Sequence, residues 1–407
     1  MEILQDPRIK IVMKKKYQAR RLRAMIGLNS FLSVLVYRGI LCSPETSPSE
    51  LAISSPNWAT LALRTPRSRD SSPLLSLLRH SWSRLCTDLR DKVFSILAAS
   101  DMKDSRSERL KIDYTRSTSR VYTDAVKEII ETSSSLGVLS YVSAADRTGS
   151  WDLPSWVPNW GMDKTPIIAD QPISYDQQRA MGTSVARASF QQSCGKEILL
   201  ASGICFGTVV ALRDPLINVD AERMGDEAQT ANLEYLSLYH QLPPVFKELS
   251  VLALPNRLSC ESFRRTYSLG LSHKVDDSFP ELLDGLPLES SDNEQAPSST
   301  YEISMKGFGY RYRTMASALV DRSIFVVKPA NLGKVQLNYE IGTGEAKVIQ
   351  ESDLVCLLGG CGTPLILRPM GSQHVVVCAA YVDSLMTGFG LSCMREGMFE
   401  AQEFQLV

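Results

Sequence analysis

The sequence predicts an α+β protein in which a helical block is followed by a β-rich, barrel- or sandwich-like C-terminal block. Two patterns lead there. Between residues 74 and 132 apolar side chains recur at helical spacing, whereas after Leu319 they fall into short runs separated by Gly, Pro or Asn. Helices and strands therefore occupy separate stretches of the chain, as α+β folds require and alternating α/β folds do not.

Composition agrees with a folded chain. Of 407 residues, 44% are hydrophobic and 22% charged, enough apolar surface to build a core. The 44 Lys+Arg against 45 Asp+Glu leave a net charge of −1, so the overall basic excess that a nucleic-acid partner calls for is missing. Nine scattered cysteines, an odd number, and the lack of any Asn-x-Ser/Thr acceptor point to a reducing, cytoplasmic compartment. No signal-peptide core opens the chain, and its longest membrane candidate, Met25 to Val36, falls well short of the roughly 20 residues a spanning helix needs. No transmembrane segment is expected.

Three regions follow in order. Residues 1–73 read as a basic helix and a Ser/Pro-rich linker, the remnant of an upstream module. The basic cluster Lys14–Arg23 also allows nuclear import. Residues 74–300 read as a mixed helical body. Helices are expected over Leu74–Leu85, after a cap at Thr87 or Asp88, and over Ser117–Thr132. The segment LPSWVPNW, 153–160, must be extended because its prolines fix φ and remove donors, and its two indoles should cover apolar surface. Residues 184–212 form two β-rich runs around QQSCGK, an antiparallel hairpin. Helical patterning returns over 220–270, and 287–300 is a polar loop. Residues 301–407 open on a helical stretch to Leu319 and continue as strands, including KVQLNYE and EAKVIQ, packed on the body. IGTGEAK, 341–347, between those two runs reads as a hairpin turn rather than a phosphate loop, since it lacks the Gly-Lys-Ser/Thr ending.

No chemistry-bearing motif stands out. There is no C-x-x-C, H-E-x-x-H or G-x-S-x-G; Cys356, Cys361 and Cys378 come nearest to a metal cluster but suit buried small side chains in strands. No metal and no cofactor is expected. A ligand pocket would gather Trp156, Trp160, Tyr381, Asp383 and His374, although His374, at a loop or strand start, reads as a solvated or hydrogen-bonded histidine rather than as the partner of Asp383 or Cys378.

The order of local motifs is more telling than any one of them. CTDLRDKVFSILAASD (86–101), IDYTRSTSRVYTDAVKEII (112–130) and DLPSWVPNW (152–160) occur in sequence, and a C-terminal series follows through Arg311, Arg313, Gly333, Asp353, Gly360, Pro364, Leu367, Arg368, Tyr381, Val382, Met386 and Gly388. Together they resemble the region downstream of the effector module in fungal heterokaryon-incompatibility (HET) domain proteins. Asp88, Arg90, Asp91, Lys92 and Phe94 match a D-P-R-D-K-type helix with Leu89 for proline, and Asp113, Tyr114, Val121, Tyr122 and Asp124 match a D-Y strand and V-Y-x-D helix. Pro154 and Pro158 match L-P-S-W-V-P-D-W, with Asn159 for aspartate. The A-L-S-Y-x-W-G start of the effector module is not found, so no NAD-directed activity is carried over. Physically, Asp88, Arg90, Asp91, Lys92, Asp113, Tyr114, Pro154, Pro158, Pro364 and Arg368 read as architecture: Arg90 and Asp91 as ion pairs orienting a helix, and Arg368 as a buried arginine with a carboxylate partner.

The resemblance implies self/non-self recognition, or regulation of cell death, through a protein partner. The alternatives are a small-molecule ligand bound by a cyclase- or isomerase-like enzyme on the same scaffold, or a remnant without activity.

Overall fold

The computed structural model describes residues 72–82, 84–99, 108–145, 152–162, 180–181, 184–193, 195–213, 248, 265–266, 322–330 and 337–407. The expected basic helix, the Ser/Pro-rich linker, the loop 287–300, the helical stretch 301–319 and nearly all of 220–270 lie outside them. The protein is α+β, and its described residues fall into two compact units.

Among the described residues, one unit holds three α-helices: α1 (Pro73–Ser81), α2 (Asp91–Ala99) and α3 (Thr118–Ser133). Pro73 opens α1, where a missing N–H costs no hydrogen bond. The helix ends at Ser81 rather than Leu85, because the chain turns at Trp82 and the Lys92 ammonium takes the carbonyls of Trp82 (2.6 Å) and Arg84 (2.5 Å). Asp88 Oδ1 accepts the Arg90 N–H at 3.0 Å in the turn before α2. Ser117 caps α3 by accepting the Arg120 N–H at 3.2 Å. The inward face of α3 carries Val121, Tyr122, Ala125, Val126, Ile129 and Ile130, all buried at the spacing the sequence shows.

The other unit is built on eight strands: β1 (Ala188–Ser193), β2 (Lys196–Arg213), β3 (Arg322–Pro329), β4 (Glu340–Glu345), β5 (Leu354–Leu358), β6 (Leu365–Met370), β7 (Gln373–Val382) and β8 (Gln402–Leu406). They form one sheet in the order β1-β2-β3-β4-β7-β6-β5, with β8 beside β2 and β7, and β5 also paired to β2. Every pair is antiparallel except β7 with β8. The hairpin read at 184–212 is β1 and β2, turning at Gly195 with φ +79°, and it belongs to the same sheet as the C-terminal strands. At 18 residues β2 is long enough to pair with β1 and β8 along its first half and with β5 and β3 further on, bending at two register slips. Ile204, Phe206, Phe325, Val327, Leu357, Ile366, Val377 and Val382 fill the core on one side, each contributing about 1.5–3 kcal/mol by burial. A short helix, α4 (Phe389–Arg395), packs Cys393 into that core.

The expected turn at 341–347 is instead mostly strand. EIGTGE forms β4 between β3 and β7, the turn comes at 346–348, and of the runs KVQLNYE and EAKVIQ the residues 337–339 and 346–350 are not strand. The reason is crowding. A Cβ on Gly342 would lie 2.3 Å from the Phe325 ring and 2.9 Å from Val382, so glycine is needed to seat this strand against its neighbours. Gly342→Ala is expected to cost about 1–3 kcal/mol through overpacking, read as a lower urea midpoint at unchanged slope.

Candidate functional site

The polar groups best placed for chemistry collect where β7 ends and β4 begins. Tyr381 is buried at the close of β7, and its hydroxyl donates to Asp383 Oδ1 at 3.1 Å. Asp383 opens a one-turn 3-10 helix, Asp383–Leu385, and its Oδ2 lies 3.7 Å from Arg265 Nη1. The segment carrying Arg265 is fastened to β4 by Thr266, whose hydroxyl donates to the Ile341 carbonyl at 3.2 Å. Glu340, the first residue of β4, completes the group.

Burial pushes the Glu340 carboxyl up to about 7, and the nearby Asp383 charge adds to the effect. The Ser384 hydroxyl beside it favours the charged form, although its oxygen has no well-formed hydrogen-bond partner. Burial, then the Asp383 charge, raises the Tyr381 phenol far above its ordinary value, so it stays protonated. The set therefore joins a carboxyl that exchanges its proton near neutrality to a fixed phenol donor and an ion-paired carboxylate. Such a set can accept and return a proton.

Glu340 also makes stability depend on pH. The unfolded chain ionises this carboxyl near 4.5 and the folded chain near 7, so the folded state holds an extra proton between those values. Its contribution is complete below the lower value and is lost as pH rises through the upper one. Glu340→Gln is expected to abolish about 2–3 kcal/mol of that loss, seen by urea unfolding at about pH 5 and pH 8. An unchanged difference between the two pH values would contradict this burial.

Of the five residues expected to share a pocket, Tyr381 and Asp383 come together. His374 lies at the opposite end of β7 from both, so it pairs with neither Asp383 nor a thiol. Its ring packs edge-on to Phe404 at 5.3 Å, its Nδ1 is buried without a hydrogen-bond partner, and burial lowers its pKa. Trp156 is fully buried, 5.6 Å from Phe190, with its indole N–H donating to the Glu197 carbonyl at 3.4 Å. Trp160 belongs to the helical unit, edge-on to Tyr122 at 5.1 Å and Trp82 at 6.4 Å. Both indoles supply core area, as their place in the Trp-Pro segment suggests, and so are not free to line a pocket.

The remaining motif residues act as fasteners. Arg90 pairs with Asp88 (2.7 Å) instead of Asp91, and its guanidinium also donates to the carbonyls of Tyr114 and Arg116. Asp91 accepts the Tyr114 hydroxyl at 2.6 Å. Asp113 holds a turn, not a strand, by accepting the N–H (2.9 Å) and hydroxyl (2.7 Å) of Thr115. Buried Asp124 on α3 is held by Arg116 and Arg120. Pro154 precedes Ser155, whose N–H donates to Val407 O at 2.6 Å and whose hydroxyl accepts the Val376 N–H at 3.1 Å. Pro158 is buried, and the Pro364 carbonyl accepts the Ala380 N–H at 2.9 Å. Arg368 clamps Asp353 through two hydrogen bonds of 2.8 and 2.9 Å. Cys356, Cys361 and Cys378 are buried thiols raised by burial.

Sequence reading missed Glu340 and Arg265. No motif marks either, and their proximity to Asp383 depends on the pairing of β4 with β7, which glycines in β4 disguised. No family model, curated protein or solved structure matches the chain. Among the described residues, no helix is long and apolar enough to cross a membrane.

Proposed function

We propose that the chain is a HET-like protein acting in self/non-self recognition, or in the regulation of cell death, through contact with a protein partner in the cytoplasm. The observation that carries this reading is how the motif residues spend their polar groups. Arg90, Lys92, Asp113 and Arg368 are all committed to hydrogen bonds within the fold. The helical unit meanwhile exposes apolar side chains: Leu85 (86%), Ile112 (40%), Tyr114 (44%) and Met162 (36%). A scaffold that fixes its shape internally and leaves apolar residues outside suits binding better than turnover. The ladder running β2-β3-β4-β7-β6-β5 and returning to β2 supports reading the C-terminal block as a small closed barrel.

The test is the fate of fused cells. Fungal strains with and without the gene are fused, and viability at the contact zone is scored. A change in survival that follows the gene is expected; identical survival with and without it would overturn the reading.

A second reading has its own observation. The Glu340, Tyr381 and Asp383 cluster would serve a cyclase- or isomerase-like enzyme that moves a proton on a small substrate.

A further inference from the structure

Away from that cluster, two thiols face each other across the sheet. Cys205 on β2 and Cys356 on β5 are direct partners in the antiparallel ladder. Opposed residues in such a ladder hold their Cα atoms about 4.5–5.5 Å apart. A disulfide spans Cα separations of about 4.4–6.8 Å, so the backbone already stands at bridging distance. Both thiols are free, Cys205 partly exposed and Cys356 wholly buried. The β2–β5 register slips by one residue just beyond Cys205, and this irregularity gives the strand local freedom to settle a cross-link.

We infer that Cys205 and Cys356 form an oxidation site that peroxide converts into a cross-strand disulfide joining β2 to β5.

The two thiols are unequal in a way that orders the steps. A hydrogen bond from the Cys356 thiol holds Cys205 below its ordinary pKa despite burial, whereas burial pushes Cys356 up. The partly exposed Cys205 therefore supplies the attacking thiolate and the buried Cys356 resolves it. In the first step the Cys205 thiolate attacks one peroxide oxygen. The O–O bond breaks, and the departing hydroxide takes a proton to leave as water, with Cys205 now a sulfenic acid. In the second step the Cys356 sulfur attacks the Cys205 sulfur, the S–O bond breaks, and hydroxide leaves with the Cys356 proton as a second water. Two electrons have passed from the thiol pair to peroxide, and two thiols plus one peroxide have become one disulfide and two waters. Peroxide is small enough to meet a thiol that is only partly exposed.

The test uses the full chain. It is treated with a slight excess of hydrogen peroxide, denatured, alkylated with iodoacetamide and digested for mass spectrometry. The Cys205 peptide linked to the Cys356 peptide is expected as the main oxidised product, two hydrogens lighter than the two reduced peptides together, with Cys361, Cys378 and Cys393 still alkylated. Recovery of both Cys205 and Cys356 as alkylated thiols, of Cys205 as sulfinic acid with Cys356 intact, or of Cys205 linked elsewhere would overturn the inference. In Cys356→Ser, which keeps a donor beside Cys205 but cannot form the disulfide, Cys205 is expected to stop at the sulfenic acid and to give at least a tenfold stronger dimedone adduct than the wild type; equal adduct would also overturn it. The wild-type peptide map decides the matter even if that variant fails to fold.

Discussion

Replacing Trp160 with alanine is expected to destabilise the helical unit by about 3–5 kcal/mol, the range for emptying a buried aromatic site. Trp160 is 1% exposed and fills the space between Trp82 and Tyr122, edge-on to both. Edge-to-face pairs of this kind add about 0.5–1.5 kcal/mol beyond area burial. Truncation also loosens Tyr122, whose hydroxyl donates to the Leu89 carbonyl at 2.8 Å and so links α3 to the turn before α2. Trp160→Phe should recover about half of the loss, because a ring still fills much of the space. Urea unfolding followed by circular dichroism at the helical band reads both variants. If Trp160→Ala leaves the midpoint unchanged, the indole is not the keystone described here.

Arg368→Ala is the second large effect, expected at about 2–4 kcal/mol in the sheet unit. Its partner Asp353 is only 2% exposed, so removing the guanidinium strands a buried carboxylate, the circumstance in which a broken ion pair is most costly. The figure is set below the fully buried case because Arg368 itself is 31% exposed and partly solvated. Geometry predicts more than charge alone. Arg368 reaches both carboxylate oxygens and donates to the Val348 carbonyl at 2.7 Å, while Asp353 Oδ2 also accepts the Gln350 N–H at 2.8 Å. A lysine cannot make that forked set, so Arg368→Lys should recover less than half of the loss. Adding Asp353→Asn to Arg368→Ala removes the stranded charge and should restore part of it, a coupling that a double-mutant cycle isolates. Additive losses would contradict a direct pair.

The helical half was legible because its signals are local. Ser117 caps α3 and Val121, Tyr122, Val126, Ile129 and Ile130 lie inward, as their spacing alone requires. The early end of α1 was not legible, since it depends on Lys92 capturing carbonyls ten and eight residues back. In the sheet, β2, β7 and β8 stand where apolar runs place them, whereas β1 extends through Gln191–Ser193, which read as turn. β4 was misplaced because glycine signals a turn unless a neighbouring ring, here Phe325, excludes any side chain. The candidate site suffered for the same reason. Tyr381 and Asp383 were visible as a nearby pair, but Glu340 joins them only through strand pairing, and His374 was wrongly grouped because sequence nearness ignores the length of an extended strand. Arg322, fully buried opposite Glu345 and pushed down to about 9 by burial, likewise carries no local signature.

The two functional readings part most cleanly in one measurement: survival of fused cells carrying Leu85→Asp or Glu340→Gln in place of the wild-type chain. Leu85 is 86% exposed, so its substitution should leave the melting temperature unchanged. Recognition through protein contact predicts that Leu85→Asp abolishes the effect on survival while Glu340→Gln retains it. Loss with Glu340→Gln and full activity with Leu85→Asp would contradict that account and place the function in proton transfer at the β4–β7 cluster.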